Sequence, residues 1–333
     1  MVGWRIISSE EDLKNWDKHL QSFEDYNYCQ TITWGEYRSF FGWKPYRWVV
    51  VTDLGVVKGL MQGLVRSYPG GLGVMWVPGG PVGEISVWNQ EMMKIVLQST
   101  GLKRLYCRIS PYRSFDVADT EILKTQGWRK TSTPLLSGMS LLYKAGGDEQ
   151  SRLQSCSKNW RHNLRRCRKY NLLFNHWSPP DVDQLMAVYQ EMEAYKEIRQ
   201  QHSREELAKI LELFGKGIVV YRCLDERGDL IAFRGCLIMG NKAWDLLAAT
   251  TVKGRSFYAS YQLFWQLIDH CQREGVTSYD MGGIDPKNNE GVYHFKKGTG
   301  AQEIKYLGEW EWATSEIMRL GSNFAIRHRG GRL

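Results

Sequence analysis

The chain repeats one structural plan at a spacing of about 170 residues, too long for a solenoid, and this duplication limits its fold more than any other feature. The segment "YRWVVVTDLGVVKGLMQGLVRSY" (46–68) reads strand, turn, strand, with Asp53 to Gly55 at the tip. "IVVYRCLDERGDLIAFRGCLIMGN" (218–241) repeats it, with Asp225 to Asp229 as the turn. Downstream of each comes an amphipathic helix, a glycine, and a strand that stops at proline. These are "QEMMKIVLQSTGLKRLYCRISP" (90–111) and "YQLFWQLIDHCQREGVTSYDMGGIDP" (261–286). Hairpin, further strand, helix and strand make a mixed sheet, and 333 residues exceed one ordinary core. Two similar α/β (α+β) domains are expected, divided at the Gly-Gly step of "KAGGDEQ" (144–150), after the strand "MSLLY".

Charge narrows the partner. A net charge of +8 asks for something anionic, whether nucleic acid, phosphorylated ligand or membrane surface. The densest basic stretch is "SCSKNWRHNLRRCRKY" (155–170). Read as one helix, it gathers Leu153, Trp160, Leu164 and Cys167 into an apolar stripe, with Lys158, Arg161, Arg165 and Arg168 on an adjacent face. A stripe of one sign suits a phosphate backbone; the plainer reading is a solvated helix face. Seven cysteines form no C-x-x-C pair, and His176 and His270 are not spaced as metal partners, so reduced thiols and no metal are expected. The start "MVGWRIISSEEDLKNW" has no basic segment before an apolar run, and no uncharged run approaches the ~20 residues of a membrane span. The expectation is a soluble, cytoplasmic protein.

Other segments admit two readings each. In "QTITWGEYRSFFGW" (30–43) a helix would align Gln30, Trp34 and Arg38 on one face, or simply be a core helix with a surface arginine. Arg199 ends the first of two helices joined by "YKEIRQQHSREEL" (195–207), where a cation also suits the helix dipole. "VPGGPVGE" (77–84) is a turn that cannot continue a strand and could cradle a phosphate. No P-loop, G-x-S-x-G or H-E-x-x-H pattern occurs.

One stretch reads as more than scaffold: "YDMGGIDPKNNEGVYHFKKGTGAQEIKYLG" (279–308). Gly282 and Gly283 let the chain leave its strand, Asp285-Pro286 stiffens the exit, and an Asn-rich mobile loop leads to Gly291 and a short helix. Neighbours on a helix point about 100° apart, so Phe295 would anchor the helix in the core while Lys296 projects away from it. Lys297 is read as solvated or as a phosphate contact.

The element order resembles the GNAT acyltransferase fold. A GNAT loop for the pyrophosphate of coenzyme A reads Arg/Gln-x-x-Gly-x-Gly/Ala before a helix. The matching place here is "KGRSFYASYQLFW", where Tyr258 replaces the first small residue and would hold the backbone off a phosphate. Two acyltransferase-like domains without that loop resemble the Fem family (FemABX), tRNA-dependent aminoacyltransferases that build the interpeptide bridge of bacterial peptidoglycan. The residues that carry the resemblance are Tyr279-Asp280-Met281-Gly282-Gly283, Gly291, Phe295-Lys296, Gly298 and Tyr306-Leu307-Gly308. Gln30, Trp34 and Arg38, Gly79-Gly80-Pro81, and the basic "NWRHNLRRCRKYN" add to it. No heptad run is present, as in the compact members that lack a coiled-coil arm.

The resemblance implies tandem GNAT-like domains, with residues 1–147 plus a final helix at 317–333 in the first and 148–316 in the second. It implies a monomer with a substrate channel between domains and no cofactor, aminoacyl-tRNA serving as co-substrate. Lys296 falls on a lysine that assists transfer, and Tyr258 or Tyr261 on a tyrosine near the reacting centre. Arg38 and Arg199 fall on cations for the phosphates of a sugar-peptide acceptor, UDP- or lipid-linked, with Trp34 and Phe295 beside the substrate. Lys158, Arg161, Arg165, Arg168, Lys169 and Lys297 would meet tRNA, and a lipid-linked acceptor would bring a peripheral contact with the inner face of the membrane. Where the family often has Asp-Pro, this chain has Ser110-Pro111, so a carboxylate base is missing there. Two other readings stand beside this one: a coenzyme A-dependent N-acyltransferase of the same fold, and a non-catalytic RNA-binding module built on the 155–170 helix.

Overall fold

The structure is a computed structural model and describes residues 2–200 and 202–328. The chain first forms β1 (Val2–Ile6), α1 (Glu10–Gln21), α2 (Ile32–Ser39), and the antiparallel run β2 (Lys44–Thr52), β3 (Val57–Tyr68) and β4 (Leu72–Gly79). β5 (Val82–Gly83), α3 (Gln90–Thr100), β6 (Arg104–Pro111), α4 (Val117–Thr125) and β7 (Arg129–Lys130) follow. Asn89 caps α3 with its side chain, and Gly101, left-handed at φ 70°, ends it, so β6 returns parallel to β4.

The second unit opens with β8 (Met139–Lys144), α5 (Glu149–Ser155), α6 (Lys158–Cys167), β9 (Leu173–His176), α7 (Val182–Lys196) and α8 (Arg204–Phe214). The repeated plan comes next: β10 (Ile218–Leu224), β11 (Leu230–Met239) and β12 (Lys242–Thr250) run antiparallel. α9 (Val252–Ser256), α10 (Ala259–Arg273) and β13 (Ser278–Gly283) follow, with β13 parallel to β12. α11 (Glu290–Lys297) and β14 (Gln302–Lys305) complete it, before β15 (Trp310–Ala313) and α12 (Glu316–His328).

The first sheet runs β1-β2-β3-β4-β6-β15-β7 and the second β14-β8-β13-β12-β11-β10-β9. Both hairpin tips and both parallel returns lie where the duplication places them. The division does not. The two compact units are 1–138 with 305–333, and 139–304, rather than 1–147 with 317–333, and 148–316. β8, the strand expected to close the first domain, lies against β13 in the second sheet, and β15 lies against β6 in the first. Each sheet thus takes a last strand from outside its own repeat, a pairing that local pattern does not encode. Of the final helix expected over 317–333, residues 329–333 lie outside the described residues.

Three local expectations change. Gln30 is not on the helix with Trp34 and Arg38: it closes a short turn before α2, whose N-cap is Thr31. Its fully buried amide donates to Gln62 O (3.1 Å) and Pro78 O (2.8 Å) and accepts from Gln62 N (2.7 Å). A Cβ on Gly80 would come within 2.5 Å of that amide, so the turn at 77–84 is packed against protein and offers no open phosphate cradle. The basic segment is two helices, not one, because Cys156 and Ser157 are extended and the Ser157 hydroxyl caps α6 by accepting from Trp160 N.

Candidate active site

Lys296 sits near the end of α11 and is buried, with 8% of its surface exposed. Gly282 is left-handed at φ 76°, a conformation glycine adopts without a Cβ penalty. Its carbonyl and that of Gly283 accept from Lys296 Nζ at 3.3 and 3.0 Å. The two glycines therefore do more than turn the chain; they hold the lysine. Burial pushes the Lys296 amine down from its ordinary value, the Asp245 and Asp280 carboxylates work against that, and Arg234 adds to it.

Four strands supply this surround. Arg234 on β11 donates to Asp245 on β12 at 2.6 Å, and the phenol of Tyr279 on β13 donates to the other Asp245 oxygen at 2.8 Å. Burial, with the Asp245 carboxylate, pushes Tyr279 well up, so it stays a donor. Asp280 accepts from Gly282 N (2.8 Å) and from the Ser140 hydroxyl of β8, which holds the Gly-Gly corner in place.

Phe295 packs against the core as expected, but Lys296 is buried as well. The lysine is the more buried, and Phe295 is half-buried in an aromatic wall: 5.1 Å from Tyr261, 6.2 Å from Trp160, with the Arg234 guanidinium 5.2 Å from its ring. Tyr261 accepts from Asn163 Nδ2 at 2.9 Å, and burial raises its phenol. Tyr258 lies one ring further away, 6.1 Å from Tyr261, left-handed at φ 59° and under the Arg166 guanidinium. Of the two tyrosines, Tyr261 adjoins the Phe295-Lys296 pair.

Much of the basic stripe is already engaged. Arg161 donates to the carbonyls of Leu153, Gln154 and Cys156, closing the corner between α5 and α6. Arg168 reaches Gln262 and Glu149, and Lys297 pairs with Glu303 at 2.9 Å. Lys158, Arg165 and Lys169 are exposed. Asp285 is a turn residue as expected, but the Asn-rich segment is tied to it rather than loose: Lys287 N and both amides of Asn288 donate to its carboxylate.

In the first unit, the half-buried Arg38 of α2 stands 5.6–6.0 Å from the rings of Trp34, Trp43 and Trp76. The indole N–H groups of all three are buried with no hydrogen-bond partner, three unspent donors around one cation. Arg199 lies in the second unit, on the exposed segment between α7 and α8. Among the described residues no cluster of His, Cys, Asp and Glu could hold a metal, and no helix is long and apolar enough to cross a membrane. Sequence reasoning missed Arg234, Asp245 and Ser140. A signal existed for the first two, since each is the lone charge in an apolar strand run, "LIAFRGCL" and "AWDLLA".

Residues 223–325, which contain Arg234, Asp245, Tyr279 and Lys296, match the model of the FemAB family. The segment that carries the lysine corner is thus similar to the Fem family. An aminoacyltransferase, FemA, of Staphylococcus aureus is 34% identical over 61 residues, which is 17% of this chain and 14% of that protein. A lipid II:glycine glycyltransferase of Staphylococcus saprophyticus is 28% identical over 89 residues, 25% of this chain and 21% of that one. The chain thus matches about a fifth or less of the length of these relatives. The fold extends further: FemX aligns over 96% of this chain and 99% of its own, with a TM-score of 0.79 at 15% identity. A tandem GNAT protein from the clavulanic acid biosynthesis pathway aligns over 95% and 99%, with a TM-score of 0.57 at 12% identity.

Proposed function

We propose that this chain is an aminoacyltransferase of the Fem type, moving an amino acid from aminoacyl-tRNA to the amine of a peptidoglycan-precursor peptide. The observation that carries the reading is Lys296, buried under two glycine carbonyls inside the segment that matches the family. An ammonium has three N–H donors. Two are spent on Gly282 and Gly283, and the third is available to a developing oxyanion.

The chemistry is ester aminolysis. The acceptor amine attacks the ester carbonyl, a C–N bond forms, and the carbonyl oxygen takes the negative charge that Lys296 stabilises. The bond to the ribose oxygen of tRNA then breaks, and the proton lost by the amine ends on that oxygen. An amine of pKa about 10.4 is neutral in roughly one molecule in a few thousand at pH 7, so a proton acceptor is needed. Ser110 stands where the family often has a carboxylate, which leaves the role to a substrate group such as the ribose hydroxyl or a phosphate. In the first unit, Arg38 and its tryptophan surround hold a phosphate of the sugar-linked acceptor, nucleotide- or lipid-borne; Arg199 of the second unit is a separate candidate for the same role. Lys158, Arg165 and Lys169 meet the tRNA backbone.

Labelled aminoacyl-tRNAs incubated with UDP-linked and lipid-linked precursors test the reading. Label should pass to the precursor, and thiol release from acetyl-coenzyme A should stay at background. Thiol release with no transfer from tRNA would overturn it in favour of a coenzyme A-dependent enzyme; RNA binding indifferent to charging, with no transfer, would leave a binding module.

A further inference from the structure

The first unit holds an apolar groove that the transferase reading does not use. Its volume is about 620 Å³, and it lies between α12 and the strands β3, β4 and β6. Leu72 and Val74 line one side, Ile317, Met318 and Ala325 another, and two arginines, Arg66 and Arg104, stand in it. Arg66 donates to Phe41 O at 2.8 Å and stacks on Trp43, and neither arginine pairs with a carboxylate among the described residues. Lys103, next in sequence, packs along the exposed turn at Gly71 and adds a third cation at the same end.

The outer face of α12 continues that apolar surface. Ile317, Leu320 and Phe324 fall at i, i+3 and i+7, one stripe of a helix, and they are 85%, 60% and 63% exposed. Ile317 belongs to both surfaces, since it also lines the groove. The polar side chains of the helix are used to fasten it: Asn323 donates to Glu311 at 2.8 Å, Arg319 to Glu311 at 3.3 Å, and Arg327 to Thr133 at 2.9 Å. The stripe is left facing outward, and at the groove mouth Tyr68 is 43% exposed. Three large apolar side chains beside unpaired cations complement a surface that is greasy and negatively charged at once.

We propose that α12 and the groove beneath it dock the chain on an anionic phospholipid bilayer, with Ile317, Leu320 and Phe324 entering the interface and Arg66 and Arg104 receiving a lipid phosphate. The stripe supplies partition and the arginines select negative charge. The inference does not rest on the transferase reading, since it uses neither Lys296 nor Arg38.

The full chain is sedimented with vesicles of phosphatidylcholine, with and without phosphatidylglycerol, in the absence of tRNA and acceptor. Binding is expected to the anionic vesicles only and to weaken with salt. Each cation near an anionic leaflet strengthens binding about five-fold, so Arg66→Gln with Arg104→Gln should lose about 25-fold. Ile317→Ser, Leu320→Ser and Phe324→Ser together should abolish binding, whereas Leu54→Ser, exposed at the far tip of a hairpin, should not change it. The six side chains are surface or groove positions, and unchanged melting temperatures would confirm that folding is intact. Four results would overturn the proposal: no binding to anionic vesicles; binding that survives both sets of substitutions; inorganic phosphate bound at the arginines with vesicles ignored; or a dimer in sedimentation that the α12 substitutions dissolve while vesicles are ignored.

Discussion

At the scale of single residues, Lys296 carries the most weight. Lys296→Met keeps the stem and removes the donor. On the oxyanion reading kcat should fall about 10²-fold or more, with acceptor and tRNA affinities little changed. Near-normal turnover would reduce the Gly282-Gly283 corner to scaffold. The same residue has a signature in stability. Its folded pKa is depressed below the ordinary value of about 10.4, and burial is the main cause. Between the two values the unfolded chain holds the proton more firmly than the folded chain, so stability rises with pH across that window. Lys296→Met has no such proton to lose. The melting temperature of the wild type, relative to the variant, should therefore climb with pH over the range just below about 10.4. A difference that stays flat over that range would mean the amine is solvated in solution. Its neighbour pair gives a third test. Arg234 and Asp245 are both nearly buried, and breaking such a pair leaves an uncompensated charge. Asp245→Asn should cost about 3–5 kcal/mol in urea unfolding. A cost near zero would show that water reaches the guanidinium.

At the scale of elements, α6 separates what pattern reveals from what it hides. The 155–170 segment shows its apolar positions plainly, and Trp160, Leu164 and Cys167 are buried as that stripe requires. The break at Cys156 was not legible, because the signal is one serine, Ser157, among many polar residues. Nor could the sequence tell a free arginine from a capping one. Arg161, which reads as one more member of a basic face, spends its guanidinium on three backbone carbonyls. The two kinds should part in experiment. Replacing Lys158, Arg165 and Lys169 with Ala should reduce the salt slope of tRNA binding by about 0.7–0.9 for each phosphate no longer neutralised. Arg161→Ala should instead lower stability and leave that slope alone. An Arg161→Ala protein with wild-type melting and a reduced slope would return this arginine to the tRNA surface. The same limit explains Phe295 and Lys296. Helical spacing showed that they point apart, but the burial of the lysine as well depends on Gly282 and Gly283, fourteen and thirteen residues from it.

At the scale of the whole molecule, duplication was the legible part, because hairpin turns, helix ends and alternation are local patterns. The exchange of closing strands was not, because strand pairing is decided between residues far apart in sequence. β8 reads as the end of the first repeat, yet its residues from Ser140 to Lys144 pair with β13, and Ser140 ties down Asp280 beside the lysine corner. β15 reads as the end of the second, yet Trp310, 1% exposed, pairs with Ile109 of β6. A domain cut where the sequence suggests would therefore carry the wrong strand. A fragment of 148–316 lacks β8, leaves one edge of β13 unpaired, and exposes Trp310 and its strand without a sheet to receive them. A fragment of 139–304 keeps its own sheet intact. Produced separately, 139–304 should unfold cooperatively in urea with a dispersed amide spectrum, and 148–316 should aggregate or melt without a transition, as an open hydrophobic edge predicts. If the two fragments unfold alike, the strand exchange contributes little, and the boundary at 147 would describe the folding units as well as the one at 138.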